Sequence, residues 1–380
     1  MRHVLIYRTE LLAASETFIA GQTASLKRYL PWFAGLKREP AGLPLDPDRV
    51  LALTTRNGLW DKLFRRTYLR AGLAPSFHRR LCSIQPALVH AHFATDGASA
   101  LTLLEHLPVP LVVTLHGYDV TADDDTLRET SHGRAYLRRR IALLRRTALF
   151  LCVSEHIRQR ALERGFPSEK LSVLPIGIEL TRVDPTEKRQ QIVLFVGRMM
   201  EKKGCIHLIR AMERVEARMP ETRLLVIGDG LLRKDLEQEA KSRLRNADFL
   251  GMRPPSEVRQ WMQRARVLAA PSIVARNGDS EGLPTVLCEA QAMGLPIVSF
   301  RGPGVNEAVV ADETALLVSV GDEQALGEAI VRLLSDEALQ ARLSDAGQMR
   351  AADFFDIRKQ TALLEEKYDE VVSQFAWWRS

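Results

Sequence analysis

Short, continuously apolar runs recur along the chain, at VLIY (4–7), LVVTL (111–115), LFLCVS (149–154), IVLFVG (192–197), RLLVIG (223–228) and PIVSF (296–300). Runs of this length, apolar without alternation, suit strands covered on both faces, and the amphipathic Arg- and Glu-rich segments between them suit the covering helices. The pattern is that of parallel α/β sheets. The polar stretch TRVDPTEKRQQ (181–191) separates two such series and reads as a linker. The expected architecture is therefore α/β, with two Rossmann-like domains facing each other across a cleft. Residues 1–180 form the first domain, residues 191–360 the second, and a final helix over 361–380 packs back on the first. Ligands of open α/β sheets sit beyond the carboxyl ends of the strands, so the loops there carry the candidate chemistry.

The 380-residue chain suits two domains by length, and its 46% hydrophobic and 26% charged residues are those of a globular protein. No apolar run approaches the ~18 residues of a membrane span. The opening VLIY is too short for a signal peptide and fits a buried strand, which points to a cytoplasmic protein. Cys82, Cys152, Cys205 and Cys288 lack any C-x-x-C spacing and are expected as small core residues. The net charge of +6 is uneven: residues 1–180 hold 25 Lys and Arg against 17 Asp and Glu, and the remainder 28 against 30. Basic excess can face nucleic acid, an anionic membrane or an acidic acceptor. No nucleic-acid-binding signature accompanies it, so nucleic acid is not expected.

In the second half, Gly197 closes a strand, and Arg198 and Lys203 flank the entry to a helix. A guanidinium fork, a point charge and a helix amino end suit a phosphate ester, although a solvated basic helix start would read the same. The stretch GDSEGLPTVLCEAQAMGLPIVS (278–299) sharpens the reading. Pro284 fits a first helical turn, so a helix is expected to start at Leu283 or Pro284, with the amides of Leu283, Thr285 and Val286 open to an anion. Glu281 then lies in an exposed loop before the helix, where its loss should cost within about 0.5 kcal/mol. Glu289 falls on the second turn. Carboxylate, anion site, carboxylate is an order that fits a sugar joined through a diphosphate to a ribose.

At these residues the chain resembles the retaining glycosyltransferases of family 4, which have the GT-B fold. The family's E-x7-E stands at Glu281 and Glu289, and its G-R-x4-K-G at Gly197, Arg198, Lys203 and Gly204. VIGDG (226–230), TLHGYD (114–119) and LSVLPIGIE (171–179) match further, with Ile176 where the family often has Asn. The resemblance implies that Gly197, Arg198 and Lys203 hold the donor diphosphate and Glu289 the ribose. It gives the hexose to Glu281 with the backbone of Gly282, Leu283 and Thr285, and brings His116 to the donor sugar from the opposite wall. Arg198, Lys203, Glu281 and His116 are then the catalytic candidates. Base recognition falls near DFLGMRPPSEV (248–258) and is largely by backbone. The loop ASETFIAGQ (14–22) resembles the branch that builds exopolysaccharide, colanic-acid-like and lipopolysaccharide chains.

Ser15, a suitable helix N-cap, and Glu16 are acceptor-side candidates, as are Asp119, which also suits a capping role, and His92. His90 and His92 share one face of a strand by their spacing. The Asp-x-Asp patterns at 123–125 and 46–48 lie away from the expected strand ends, so no metal site and no cofactor is assigned; a nucleotide diphosphate sugar is the co-substrate. The expected function is retaining transfer of a hexose to a glycan or lipid-linked acceptor in surface polysaccharide synthesis. A sugar-nucleotide epimerase of the same outline lacks this motif pair, a phosphorylase needs a longer chain, and a silent binding subunit would not need intact motifs.

One further segment bears on location. In LWDKLFRRTYLRAGL (59–73), Trp60, Leu63, Phe64, Thr67, Tyr68 and Ala71 fall on one side of a helix and Lys62, Arg65, Arg66 and Arg70 toward the other. Such a helix either packs its aromatic side on the domain core or lies peripherally on an anionic membrane. Trp377 and Trp378 are expected to add an anchor or to pack within the last helix.

Overall fold

The computed structural model describes residues 1–40, 42–56, 58–180 and 187–377, without the Trp377 side chain. Most of the expected linker, and the pair Trp377 and Trp378, lie outside the described side chains. The chain divides into two compact units, Met1–Gly177 with Ile357–Ser380, and Ile178–Asp356. Both are parallel-sheet α/β domains.

The first unit holds eight strands: β1 (Arg2–Tyr7), β2 (Glu10–Leu11), β3 (Tyr29–Arg38), β4 (Val50–Thr54), β5 (Leu88–His92), β6 (Leu111–Leu115), β7 (Thr147–Cys152) and β8 (Leu171–Val173). They lie in the order β3-β1-β5-β6-β7-β8, with β2 and β4 both pairing to β3. Chain order therefore runs outward in opposite directions from β1 and β5. Val4, Ile6, Leu88, Val112 and Leu151 fill the core between sheet and helices. The helix Ile357–Trp377 adds Leu364, Tyr368 and Val371 to that core. Its buried Glu365 accepts the amides of Lys27, Arg28 and Tyr29, which pins the start of β3.

The second unit holds six strands: β9 (Ile192–Val196), β10 (Arg223–Ile227), β11 (Ala247–Gly251), β12 (Val267–Ala269), β13 (Ile297–Phe300) and β14 (Leu316–Val318). Their order is β11-β10-β9-β12-β13-β14. Counted from the unit's own first strand this is the 3-2-1-4-5-6 order of dinucleotide-binding sheets, and β9 beside β12 is its switch point. The end of the expected linker is built into this unit: the partly buried Arg189 donates to the carbonyls of Met262, Ala265, Met293 and Gly294.

Each of the six apolar runs forms a strand. Cys152, Cys205 and Cys288 are buried, but Cys82 is exposed, because it falls on the outer side of the helix Pro75–Ile84. Among the described residues no helix is long and apolar enough to cross a membrane.

Candidate active site

The loops that follow β9 and β12 meet at the switch point of the second unit. After β9, Gly197 donates its amide to Ile227 on the neighbouring strand, and Arg198 projects exposed, with no ion pair among the described residues. A short 3-10 turn, Glu201–Lys203, then ends at Gly204, whose φ of 64° and distance of 1.8 Å from a notional Cβ to the Pro271 carbonyl require glycine.

Two ion pairs tie this turn to the loop after β12. Lys202 Nζ lies 2.9 Å from Asp279 Oδ1, and Lys203 Nζ lies 2.8 Å from Glu281 Oε1. Glu281 is thus not the exposed loop residue expected from the sequence; it is 7% exposed, since adjacent cations permit its burial. Burial pushes its carboxyl up, but Lys203, Lys202 and Arg198 outweigh that and hold it below its ordinary value. Lys202 and Asp279 went unread in the sequence, and the doubled lysine opposite D-S-E was the available signal.

The helix Thr285–Ala292 begins one to two residues later than expected, with Pro284 as its cap at ψ 95°. Pro284 gives its carbonyl to the Leu287 amide, while the amides of Thr285 and Val286 have no partner among the described residues. Leu283 is buried just ahead of them. Glu289 is partly buried on the second turn, and burial, only partly countered by Arg259 and Lys203, pushes its carboxyl up to about 7. Gly282 is crossed closely by another loop: a Cβ on Gly304 would lie 2.7 Å from the Gly282 carbonyl and 2.6 Å from that of Glu281. An exposed arginine, a paired lysine and unfilled helix amides at the carboxyl ends of the two central strands can hold a diphosphate, and the two carboxylates can accept from hydroxyls on either side.

In the first unit the loops after β1, β5 and β6 converge. Arg8, also unread in the sequence although it directly follows β1, pairs with Glu16 and Asp96, donates to the His92 carbonyl and lies over the Phe93 ring. Glu16 is consequently buried and also accepts the Ala13 amide at 3.1 Å. Ser15 is exposed, and the helix Thr17–Ala24 starts with Glu16 at its cap position and no side-chain cap, so Ser15 does not cap it. Asp119 is fully buried and accepts from the amides of Ala94, His116 and Gly117 at 2.8–3.2 Å, so its carboxylate braces the loop. Burial pushes it up to about 6 against those amides.

Three of the histidines, His90, His92 and His116, form one cluster. His90 Nδ1 lies 2.5 Å from the Tyr368 hydroxyl and its Nε2 2.7 Å from Thr114 Oγ1. His92 Nδ1 lies 3.0 Å from His116 Nε2. His92 Nε2 is buried with no partner among the described residues. A buried bare acceptor costs less than a buried bare N–H, so His92 carries its proton on Nδ1 and donates it to His116. The His116 ring lies beside Phe18 and lines a small pocket together with Gln22, Pro175 and Ile176. Burial holds His90 down to about 3, and burial together with nearby cationic Arg8 holds His92 and His116 well below their ordinary value.

The three aspartates at 123–125 are engaged elsewhere: Asp123 accepts the Thr126 amide, Asp124 pairs with Arg164 and Asp125 with Arg128. Asp46 accepts the Asp48 amide. Among the described residues no three His, Cys, Asp or Glu side chains group to hold a metal ion.

The pattern behind this geometry is a known one. A family model for glycosyl transferases group 1 matches residues 190–336, and one for glycosyltransferase family 4 matches residues 32–182. The chain thus carries a glycosyltransferase family 4 domain followed by a glycosyl transferases group 1 domain. The chain is 30% identical over 262 residues to the amylovoran biosynthesis glycosyltransferase AmsK of Erwinia amylovora, covering 66% of the present chain and 61% of that one. It is also 30% identical over 229 residues to a GDP-mannose-dependent alpha-(1-6)-phosphatidylinositol monomannoside mannosyltransferase of Mycolicibacterium smegmatis, covering 56% and 60%. The match thus spans less than two thirds of either relative. The structure of Anabaena HepE in complex with UDP and glucose is similar with a TM-score of 0.72 at 18% identity, over 97% of this chain and all of that one. The fold is GT-B.

Proposed function

We propose that this protein transfers a hexose, with retention of anomeric configuration, from a nucleotide diphosphate sugar to a glycan or lipid-linked acceptor in surface polysaccharide synthesis. The observation that carries the reading is the buried Lys203–Glu281 pair beside exposed Arg198 and the free amides of Thr285 and Val286. Arg198, Lys203 and the helix amino end meet the diphosphate and stabilise charge developing on it as the glycosidic bond breaks. Glu281, with the backbone of Gly282 and Leu283, orients hexose hydroxyls, and Glu289 accepts from the ribose. His116 serves the transfer step. In a same-face substitution the leaving phosphate oxygen takes the acceptor's proton, so no separate base is required. The relatives support the acceptor class: one is named for amylovoran biosynthesis and one for a phosphatidylinositol mannoside. The neighbour crystallised with UDP and glucose supports the donor class.

The test is incubation with UDP-, GDP- and ADP-sugars after a thermal-shift screen, in which a ligand at about 100 times its Kd stabilises by about 2.7 kcal/mol. Release of nucleoside diphosphate, abolished by Lys203→Ala and retained in EDTA, is the expected result. Interconversion of two sugar nucleotides would identify an epimerase instead, and binding without turnover a silent subunit.

A further inference from the structure

The helix Leu59–Ala71 leaves Trp60 and Phe64 facing away from the unit that carries it. At about 100° per residue, Leu59, Trp60, Leu63 and Phe64 occupy one sector, and they are 83%, 82%, 53% and 43% exposed. Leu73, just beyond the helix, is 66% exposed. The inward contact comes from the flank of that sector, where Tyr68, about 40° on from Phe64, is buried against Phe77 and lies 3.2 Å by its hydroxyl from His78 Nε2. Tyr68 keeps its place beside the other aromatics, as its spacing predicts, but it alone is covered and the rest are left in the open.

Charge borders the apolar sector. Lys62, Arg66 and Arg70 are exposed next to it, with no ion pair among the described residues. Arg79 and Arg80 are exposed on the following helix, Pro75–Ile84. Arg65 faces inward instead and donates to Thr54 Oγ1 at 2.6 Å. From residue 56 to 80 the chain has seven cations and one carboxylate, Asp61, whose Oδ2 accepts the Gly58 amide at the helix start.

We propose that this helix lies on an anionic lipid bilayer, with Trp60, Leu63 and Phe64 entering the headgroup–acyl boundary and Lys62, Arg66 and Arg70 meeting lipid phosphates. A soluble polyanion would match the charge but leave the aromatic sector in water. A second copy placed by a twofold would cover that sector but bring the same cations against one another. A bilayer answers both features, because Trp suits the interface and each basic residue near an anionic surface adds attraction. The proposal rests on the first unit alone and is read out independently of transfer.

The experiment is co-sedimentation of the full chain with vesicles of phosphatidylcholine alone or mixed with phosphatidylglycerol, at low and high salt. Wild type is expected to bind only the mixed vesicles, with a blue shift of tryptophan emission that is lost in Trp60→Phe. Joint change of Lys62, Arg66 and Arg70 to Glu should weaken binding by at least about a hundredfold. Joint Trp60→Ser and Phe64→Ser should weaken it about tenfold or more at unchanged charge. All these positions are exposed, so donor-induced thermal shifts should stay at the wild-type value and report an intact fold. The proposal is overturned if wild type ignores mixed vesicles at low salt, if the serine variant binds as well as wild type, or if wild type is a dimer that the serine variant breaks.

Discussion

Glu281 shows how a site residue can be both structural and chemical. Its carboxylate is buried against Lys203, so Glu281→Ala leaves a poorly solvated ammonium without its anion. Loss of one member of a buried pair costs about 3 kcal/mol or more, well above the figure for the exposed loop residue that spacing alone implies. Denaturant unfolding of the second unit is expected to show that loss for Glu281→Ala and a smaller one for Glu281→Gln, which keeps the volume. An unchanged midpoint for the alanine variant would mean the pair contributes nothing to folding. Donor binding should fall in both, since either change removes the charge that sets Lys203. The motif residues were legible because Gly197, Lys203, Glu281 and Glu289 stand at spacings that a strand end and a helix start impose. Arg8, Lys202 and Asp279 were not, because a buried charge declares itself only through a partner distant in the chain, such as Asp96 for Arg8.

Elements were legible where burial is two-sided. The six apolar runs are strands because both faces of a parallel sheet are covered. The ten-residue β3 was unread: YLPWFAGLKR contains Pro31 and Gly35, which normally argue against an inner strand. Gly35 is required there, since a Cβ would stand 2.3 Å from the Arg8 carbonyl where the chain turns out of β1. The same kind of close approach shapes the candidate site. Gly304 has φ 70°, and a Cβ there would run into the backbone of Glu281 and Gly282. Gly304→Ala is therefore expected to displace that loop, with a loss of stability above about 1 kcal/mol and a larger proportional loss of donor affinity. Calorimetry of the nucleotide complex would check it; wild-type affinity in the alanine variant would show that the loop tolerates the shift. Ser15 illustrates the opposite error, a good capping residue one position too early, because Glu16 is held by Arg8 and starts the helix itself.

At the scale of the molecule, the two units should answer acid differently. In the first, His90, His92 and His116 are all held below their ordinary value, so the unfolded chain takes up protons that the folded unit refuses as pH drops below about 6.5. Stability of that unit is full above this pH and falls below it, with the raised Asp119 offsetting part of the loss. In the second unit Glu289, raised to about 7, gains a proton on the folded side first, so acidification from pH 7 favours the fold there. Urea unfolding followed by hydrogen exchange at pH 7 and 5.5 should show the first unit weakening and the second holding; equal weakening would remove the histidine cluster as the cause. The helix Ile357–Trp377 belongs to the first unit although the whole of the second precedes it in the chain. During translation the second unit can therefore close on the ribosome while the first still lacks Leu364, Tyr368 and the Glu365 clip on β3. The nascent chain must carry an unfinished apolar surface through about half its synthesis, which makes the earlier-made unit the later one to mature and the one in greater need of a chaperone.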